Sequence, residues 1–182
     1  MDLKELNNID LDKLAKNVPE NLHVEFKGRA GREHYRLLHY LCKGKKLVFD
    51  IGTYLGTSSI AMSNAKKVIS YNVENQLKVK KLKNITYKLG DAMYDENLLK
   101  AELIVLDTAH DGVYEAELYK FLKANNYKGI LVVDDIHYNA EMLRFWYSIK
   151  EPKEDLTAIG HYTGTGIVYF GASGVKRCKS CG

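Results

Sequence analysis

One stretch, Lys46-Leu-Val-Phe-Asp-Ile-Gly-Thr-Tyr-Leu-Gly-Thr-Ser-Ser-Ile-Ala-Met-Ser63, leaves this chain few ways to fold. Leu47 to Ile51 is an apolar run of the length of a buried strand. It breaks at Gly52 and again at Gly56, then meets Thr57-Ser58-Ser59 ahead of a short helical pattern. Strand, glycine turn and helix start form the cradle of a nucleotide-like ligand at the top of a parallel sheet. The glycines let backbone approach the ligand, and Thr57 or Ser58 can cap the helix. Spacing separates the ligand classes. A dinucleotide fingerprint needs G-x-G-x-x-G, but Tyr54 fills a glycine position and Asp50 would repel a pyrophosphate. A carboxylate suits a cationic group such as an amino acid ammonium.

The remaining chain repeats the strand–helix alternation. Val68 to Tyr71, Ile85 to Tyr87, Glu102 to Asp107 and Lys128 to Asp135 read as further strands. Glu33 to Cys42, Tyr114 to Ala124 and Ala140 to Ile149 read as helices. Leu156 to Ile159 and Thr165 to Phe170 flank His161-Tyr-Thr-Gly164 too closely for a crossover, so they read as an antiparallel hairpin. The expected fold is α/β: a doubly wound, mostly parallel seven-stranded sheet finished by a C-terminal antiparallel hairpin. Right-handed crossovers then gather the strands' C-terminal ends along one edge. Residues 1–45 read as a helical cover, with Asp10 as an N-cap, 46–171 as the ligand-binding core and 172–182 as a flexible tail of a single domain.

Composition narrows the function class. At 46% hydrophobic residues the 182-residue chain can bury a full core. A net charge of +4 is too small and dispersed to argue for nucleic acid. The densest basic run, Lys78-Val-Lys-Lys-Leu-Lys83, reads as a solvated helix face. Lys27, Arg29 and Arg32 read as a solvent-facing basic loop, with an anion site as the rival. No apolar run reaches the ~20 residues of a membrane span, and a soluble cytoplasmic protein is expected. Cys42 falls in a helical pattern as packing. Cys178 and Cys181 form one isolated C-x-x-C, a weak zinc signal.

Phe49-Asp50-Ile51-Gly52-Thr53-Tyr54-Leu55-Gly56-Thr57-Ser58 resembles motif I of the class I S-adenosylmethionine (SAM)-dependent methyltransferases. The likeness runs from about Gly31 to Phe170, and the terminal hairpin matches that family's topology. It implies a Rossmann-like methyltransferase fold and SAM as methyl donor, with Asp50, Gly52, Thr53, Tyr54, Gly56 and Ser58 at its amino acid end. In the family the second strand ends in an acidic residue that bonds the ribose hydroxyls. Here Asn72 stands in that place with Glu74 two positions on, and the choice between them stays open. Asp91 matches the position that meets the adenine amino group, and Asp107 borders the same ligand.

Asp107, Asp134 and Asp135 close neighbouring strands and should converge beside the turn. Three such carboxylates cannot all stay ionised without a compensating cation, and all-oxygen ligation suits Mg²⁺, Mn²⁺ or Ca²⁺. The resemblance implies the same residues as metal ligands, since catechol-type and sugar-type O-methyltransferases hold Mg²⁺ or Mn²⁺ there. His110, Asp111 and His137 follow these carboxylates closely and are the candidate bases. His161, in the hairpin turn, is a candidate for the substrate mouth, whereas His23, His34 and His39 have no such neighbours in sequence. The expected activity is O-methylation of a small-molecule hydroxyl, on a sugar or glycan before a catechol, by a protein compatible with a homodimer. Two rivals stay open: a metal-independent methyltransferase with a histidine base, and a SAM-fold binding module without catalysis.

Overall fold

A computed structural model describes residues 1–171, without the side chains of Glu25, Arg29 and Ala30. The C-x-x-C at Cys178 and Cys181 lies outside the described residues.

Seven strands form one sheet: β1 (Val48–Ile51), β2 (Val68–Asn72), β3 (Ile85–Leu89), β4 (Leu103–Leu106), β5 (Ile130–Asp134), β6 (Lys153–Asp155) and β7 (Thr165–Tyr169), in the order β3-β2-β1-β4-β5-β7-β6. The first five are parallel, while β7 runs antiparallel to both β5 and β6. β1, β4 and β5 are covered on both faces, so apart from Asp50 in β1 and the closing Asp134 of β5 their residues are apolar rather than alternating with polar ones. The pleat sorts those runs between two cores. Val48, Val68, Leu103, Val105 and Val132 face the N-terminal helices. Phe49, Ile69, Ile104, Leu106, Leu131 and Val133 face the opposite layer.

The helices are α1 (Leu3–Asn7), α2 (Leu11–Ala15), α3 (His23–Lys27), α4 (Arg29–Cys42), α5 (Thr57–Ala61), α6 (Val113–Ala124) and α7 (Ala140–Ser148). Asp2 and Asp10 accept backbone N–H bonds at the starts of α1 and α2, as the Asp10 reading requires. α4 buries a stripe of Leu37, Leu38 and Cys42, and two polar ties fix its rotation. Tyr35 Oη pairs with Thr57 Oγ1 at 2.7 Å, and His39 Nδ1 lies 2.8 Å from the Ala61 carbonyl.

Two sequence readings need correction. Lys78 to Lys83 is not helical. Leu77 and Val79, two apart, pack over the missing side chain of Gly56, while Lys78 and Lys80 donate backbone bonds to Leu55 and Asn17. An alternating apolar pair served an extended segment better than a helix. The hairpin is antiparallel as expected, but its first strand is Lys153–Asp155, and 156–159 is a turn. Leu156 is buried and enters the core as the chain turns.

Register sets the site. Ile51 pairs with Leu106, and Leu106 with Val133, so the residues that follow these strands emerge at one level.

Candidate active site

The turn after β1 is built on positive φ angles at Gly52 (+96°), Tyr54 (+46°) and Gly56 (+92°). A Cβ at Gly52 would run into the Asp107 carbonyl, so glycine is what lets β1 and β4 end side by side. Asp50 lies beneath this turn and has no exposed surface. Its Oδ2 accepts from Ser58 Oγ (2.9 Å) and from Ser70 Oγ (3.0 Å), its neighbour across the ladder. Burial pushes its pKa up to about 6, although these hydroxyls favour the charged form. Neither predicted cap acts as one. Gly56 is the N-cap, Ser58 serves Asp50, and Thr57 serves Tyr35.

Above the turn opens a cleft of about 760 Å³. Gly52 and Tyr54 form one end, and Ile51, Tyr71 and Val73 give apolar wall. Asn72, Asp91, Asp107 and Tyr114 supply polar groups. Asp91 is fixed by two donors to Oδ1, the Met93 amide at 2.8 Å and the Tyr114 hydroxyl at 2.7 Å. The size and mixed lining suit a nucleoside-like ligand.

Beyond the Asp107 side of this cleft, carboxylates and imidazoles interleave. His110, held at φ +56°, places Nε2 3.1 Å from Asp107 Oδ1 and 3.5 Å from Asp135 Oδ2. His161 Nδ1 lies 3.1 Å from Asp135 Oδ1 and 3.6 Å from Asp134 Oδ1. His34 Nδ1 reaches within 3.5 Å of Asp134 Oδ1 from α4. Thr163 Oγ1 also donates to Asp135. Burial disfavours an imidazolium at His161, but Asp134 and Asp135 outweigh it and raise the pKa to about 10. His110 is raised by the same contest, its burial overcome by Asp107 and the paired aspartates. Desolvation raises Asp134 less than His34 and His161 lower it, so this carboxylate sits below its ordinary range. Desolvation and neighbouring Asp134 push Asp107 upward. Ion-pair distance does not satisfy every atom: Asp134 Oδ1, His110 Nε2 and both ring nitrogens of His34 are buried without a hydrogen-bond partner.

Comparison with known proteins was informative in structure alone. No family model matches the sequence, and no curated protein shows significant sequence similarity to it. Among solved structures, it resembles an O-methyltransferase from Bacillus cereus in complex with S-adenosylhomocysteine (SAH), with a TM-score of 0.59 at 12% identity over 90% of this chain and 92% of that one. An SAH-bound methyltransferase of Podospora anserina gives 0.58 at 13% identity, covering 87% and 92%. TomG, an O-methyltransferase involved in tomaymycin synthesis in Streptomyces achromogenes and solved with SAM, gives 0.51 at 16% identity over 88% of each chain. The chain has the class I methyltransferase fold.

Within this methyltransferase fold the predicted residues divide clearly. Gly52, Tyr54, Asn72, Asp91 and Asp107 line the cleft. Asp50, Thr53 and Ser58 are buried around the turn, and Asp50 has no exposed surface. Between Asn72 and Glu74, Asn72 is on the wall; Glu74 borders a neighbouring pocket, with its carboxylate bonded to Gln76. Asp107, Asp134 and Asp135 do converge, and His110 joins them. Asp111 does not: exposed, it accepts from the Val113 amide at the start of α6. His137 turns away as well, its Nε2 2.7 Å from Asp155 on β6. Lys27 pairs with Asp12, and the Arg29 side chain lies outside the described set.

Sequence reasoning missed His34, Tyr114 and Glu115. The signal for His34 was available, because it falls on the same helical stripe as Leu37, Leu38 and Cys42 and is 5% exposed. Glu115 is 1% exposed. Its Oε1 accepts from Thr108 Oγ1 (2.6 Å) and the His110 amide (3.1 Å), while Asn139 Nδ2 donates to the His110 carbonyl at 2.7 Å. These bonds hold the strained loop that presents His110.

Proposed function

We propose that this protein is a SAM-dependent O-methyltransferase that methylates a hydroxyl of a small molecule, by preference a sugar or glycan, at a site assisted by a divalent metal. One observation carries the reading. Asp107 belongs both to the wall of the nucleoside-sized cleft and to the carboxylate–imidazole cluster, so a methyl donor and an acceptor hydroxyl would meet across one side chain.

Gly52 brings backbone close to the donor's amino acid end, Asn72 offers its amide to the ribose, and Asp91, held by Tyr114, borders the base. In the reaction the acceptor's O–C bond forms as the donor's C–S bond breaks, leaving SAH and a methyl ether. His110 Nε2, buried and unpartnered next to Asp107, is the group of the chain suited to take the hydroxyl proton. Asp107, Asp134 and Asp135 would hold the metal, and the unpartnered Asp134 Oδ1 fits that role. A bound divalent ion supplies Lewis acidity that lowers the acceptor's pKa. The exposed rings of Tyr138 and Tyr162 lie 5.8 Å and 4.9 Å, centroid to centroid, from those of His110 and His161. They offer stacking faces to a sugar or other ring beside the cluster.

The test is calorimetric titration with SAH, followed by methyl transfer from SAM to a panel of sugar and catechol acceptors, with Mg²⁺, with Mn²⁺ and with chelator. Failure to bind SAH at high micromolar concentration would sink the proposal. A second reading, a metal-independent enzyme, is favoured by His161, whose raised pKa lets an imidazolium offset the aspartates. Full activity after exhaustive chelation would select it.

A further inference from the structure

The sequence assigns the three aspartates to an all-oxygen site, but the structure adds nitrogen. His34 arrives from α4, outside the strand ends that carry the rest of the cluster. Among the described residues, both its ring nitrogens are buried without a hydrogen-bond partner, and so is the Asp134 Oδ1 that Nδ1 faces at 3.5 Å. An imidazole lone pair and a carboxylate oxygen left bare together, inside a packed layer, call for a shared acceptor of electron pairs. His34, Asp107 and Asp134 can each offer a ligand atom within 4.8 Å of the others, and so can His110, Asp134 and Asp135. Asp134 is common to both sets.

The spacing fits ligation. Two donors each about 2.1 Å from one ion lie roughly 3.0–3.4 Å apart at octahedral or tetrahedral angles. The His110–Asp107 separation, 3.1 Å, falls inside that range, and the His34–Asp134 separation, 3.5 Å, lies just above it. His34 is also held in place. The Tyr35–Thr57 and His39–Ala61 ties, one and five residues further along α4, fix the helix next to it, and Phe26 stacks on Tyr35 with ring centroids 4.7 Å apart.

We infer that His34 is a metal ligand, and that the centre is a mixed nitrogen–oxygen site selecting a first-row transition ion of the Fe²⁺, Co²⁺, Ni²⁺ or Zn²⁺ class over Mg²⁺ or Ca²⁺. Imidazole suits the first group, whereas Mg²⁺ holds to oxygen and water. The inference rests on the metal-assisted reading above and specifies which metal that reading requires.

The experiment uses the full chain stripped by chelation and dialysed. Co²⁺ is titrated by its visible d–d absorption, Zn²⁺ and Mg²⁺ by calorimetry, on wild type, His34→Asn and His34→Gln. SAH binding on each variant serves as the control for folding. Wild type should bind Co²⁺ and Zn²⁺ at least about 100-fold tighter than Mg²⁺. Each His34 variant should lose about 10–100-fold in Co²⁺ affinity while its weak Mg²⁺ binding stays the same. Equal or tighter Mg²⁺ binding by wild type overturns the inference without recourse to any variant. So does Co²⁺ affinity unchanged in a His34 variant that still binds SAH. Either result leaves the metal-assisted reading standing. If wild type binds SAH but no divalent ion, the inference and the metal-assisted reading fall together, and methyl transfer is tested separately.

Discussion

Replacing Asp50 with Asn separates two roles that a buried carboxylate can play. Asp50 is completely enclosed, and its pKa rises from 3.8 to about 6 because burial penalises the charged form more than its hydroxyl partners support it. A carboxyl whose folded pKa is raised is a stabilising element below its unfolded pKa, while it is neutral in both states. That contribution is lost as pH climbs through the folded value. The shift is about two units at about 1.4 kcal/mol each, or about 3 kcal/mol of stability given up between roughly pH 4 and pH 7. Asn carries no charge to desolvate, so the stability difference between Asp50→Asn and wild type should move by about 3 kcal/mol in the variant's favour across that window. In a chain of this size that is roughly 6–12 °C in melting temperature. The new amide N–H₂ sits where Oδ1 has no partner, which offsets the whole curve by about 1–3 kcal/mol but does not change its slope. Urea unfolding of both proteins at pH 4, 5, 6 and 7 reads the difference directly, with other titrating groups cancelling between them. A flat difference, or one moving in wild type's favour as pH rises, would refute the burial argument.

Gly52→Ala should lower stability by more than about 2 kcal/mol and abolish SAH binding, since it combines a positive φ with a backbone collision; an unchanged melting temperature would contradict this. His110→Gln should reduce methyl transfer by about 10²–10⁴-fold while SAH affinity stays within a few-fold, and loss of SAH binding instead would make His110 a cleft residue rather than a base. Glu115→Ala should free the Thr108 hydroxyl and His110 amide at a cost of about 2–3 kcal/mol. Its kcat should fall more than its SAH affinity, and an unaltered kcat would remove Glu115 from the positioning of His110.

The parallel sheet was legible because its central strands are apolar but for Asp50 and end in Gly52, Asp107 or Asp134. That pattern records burial on both faces and a shared edge. The convergence of Asp107, Asp134 and Asp135 followed from topology, needing only that strands beside one another stop at one level. What sequence could not supply was direction. His137, next to Asp135 but one, looked equivalent to His110, yet the turn after β5 swings it onto Asp155. Asp50 sits beside Ser70 across the ladder, and its acceptance of the Ser58 and Ser70 hydroxyls could not be read from its place at the strand end. His34 was set aside because none of the strand-end aspartates lies near it in sequence; its partner, Asp134, becomes its neighbour only when α4 packs on the sheet.

The strand order has a consequence for how the molecule is assembled. β7, the last strand, slots between β5 and β6 and carries with it the turn that brings His161 and Thr163 onto Asp135. The carboxylate–imidazole cluster is therefore complete only with that turn in place. α4 and the closing hairpin reach Asp134 from opposite ends of the described chain, in contacts of high sequence separation. The cluster works as a buckle, fastened only when both α4 and the β6–β7 turn have docked.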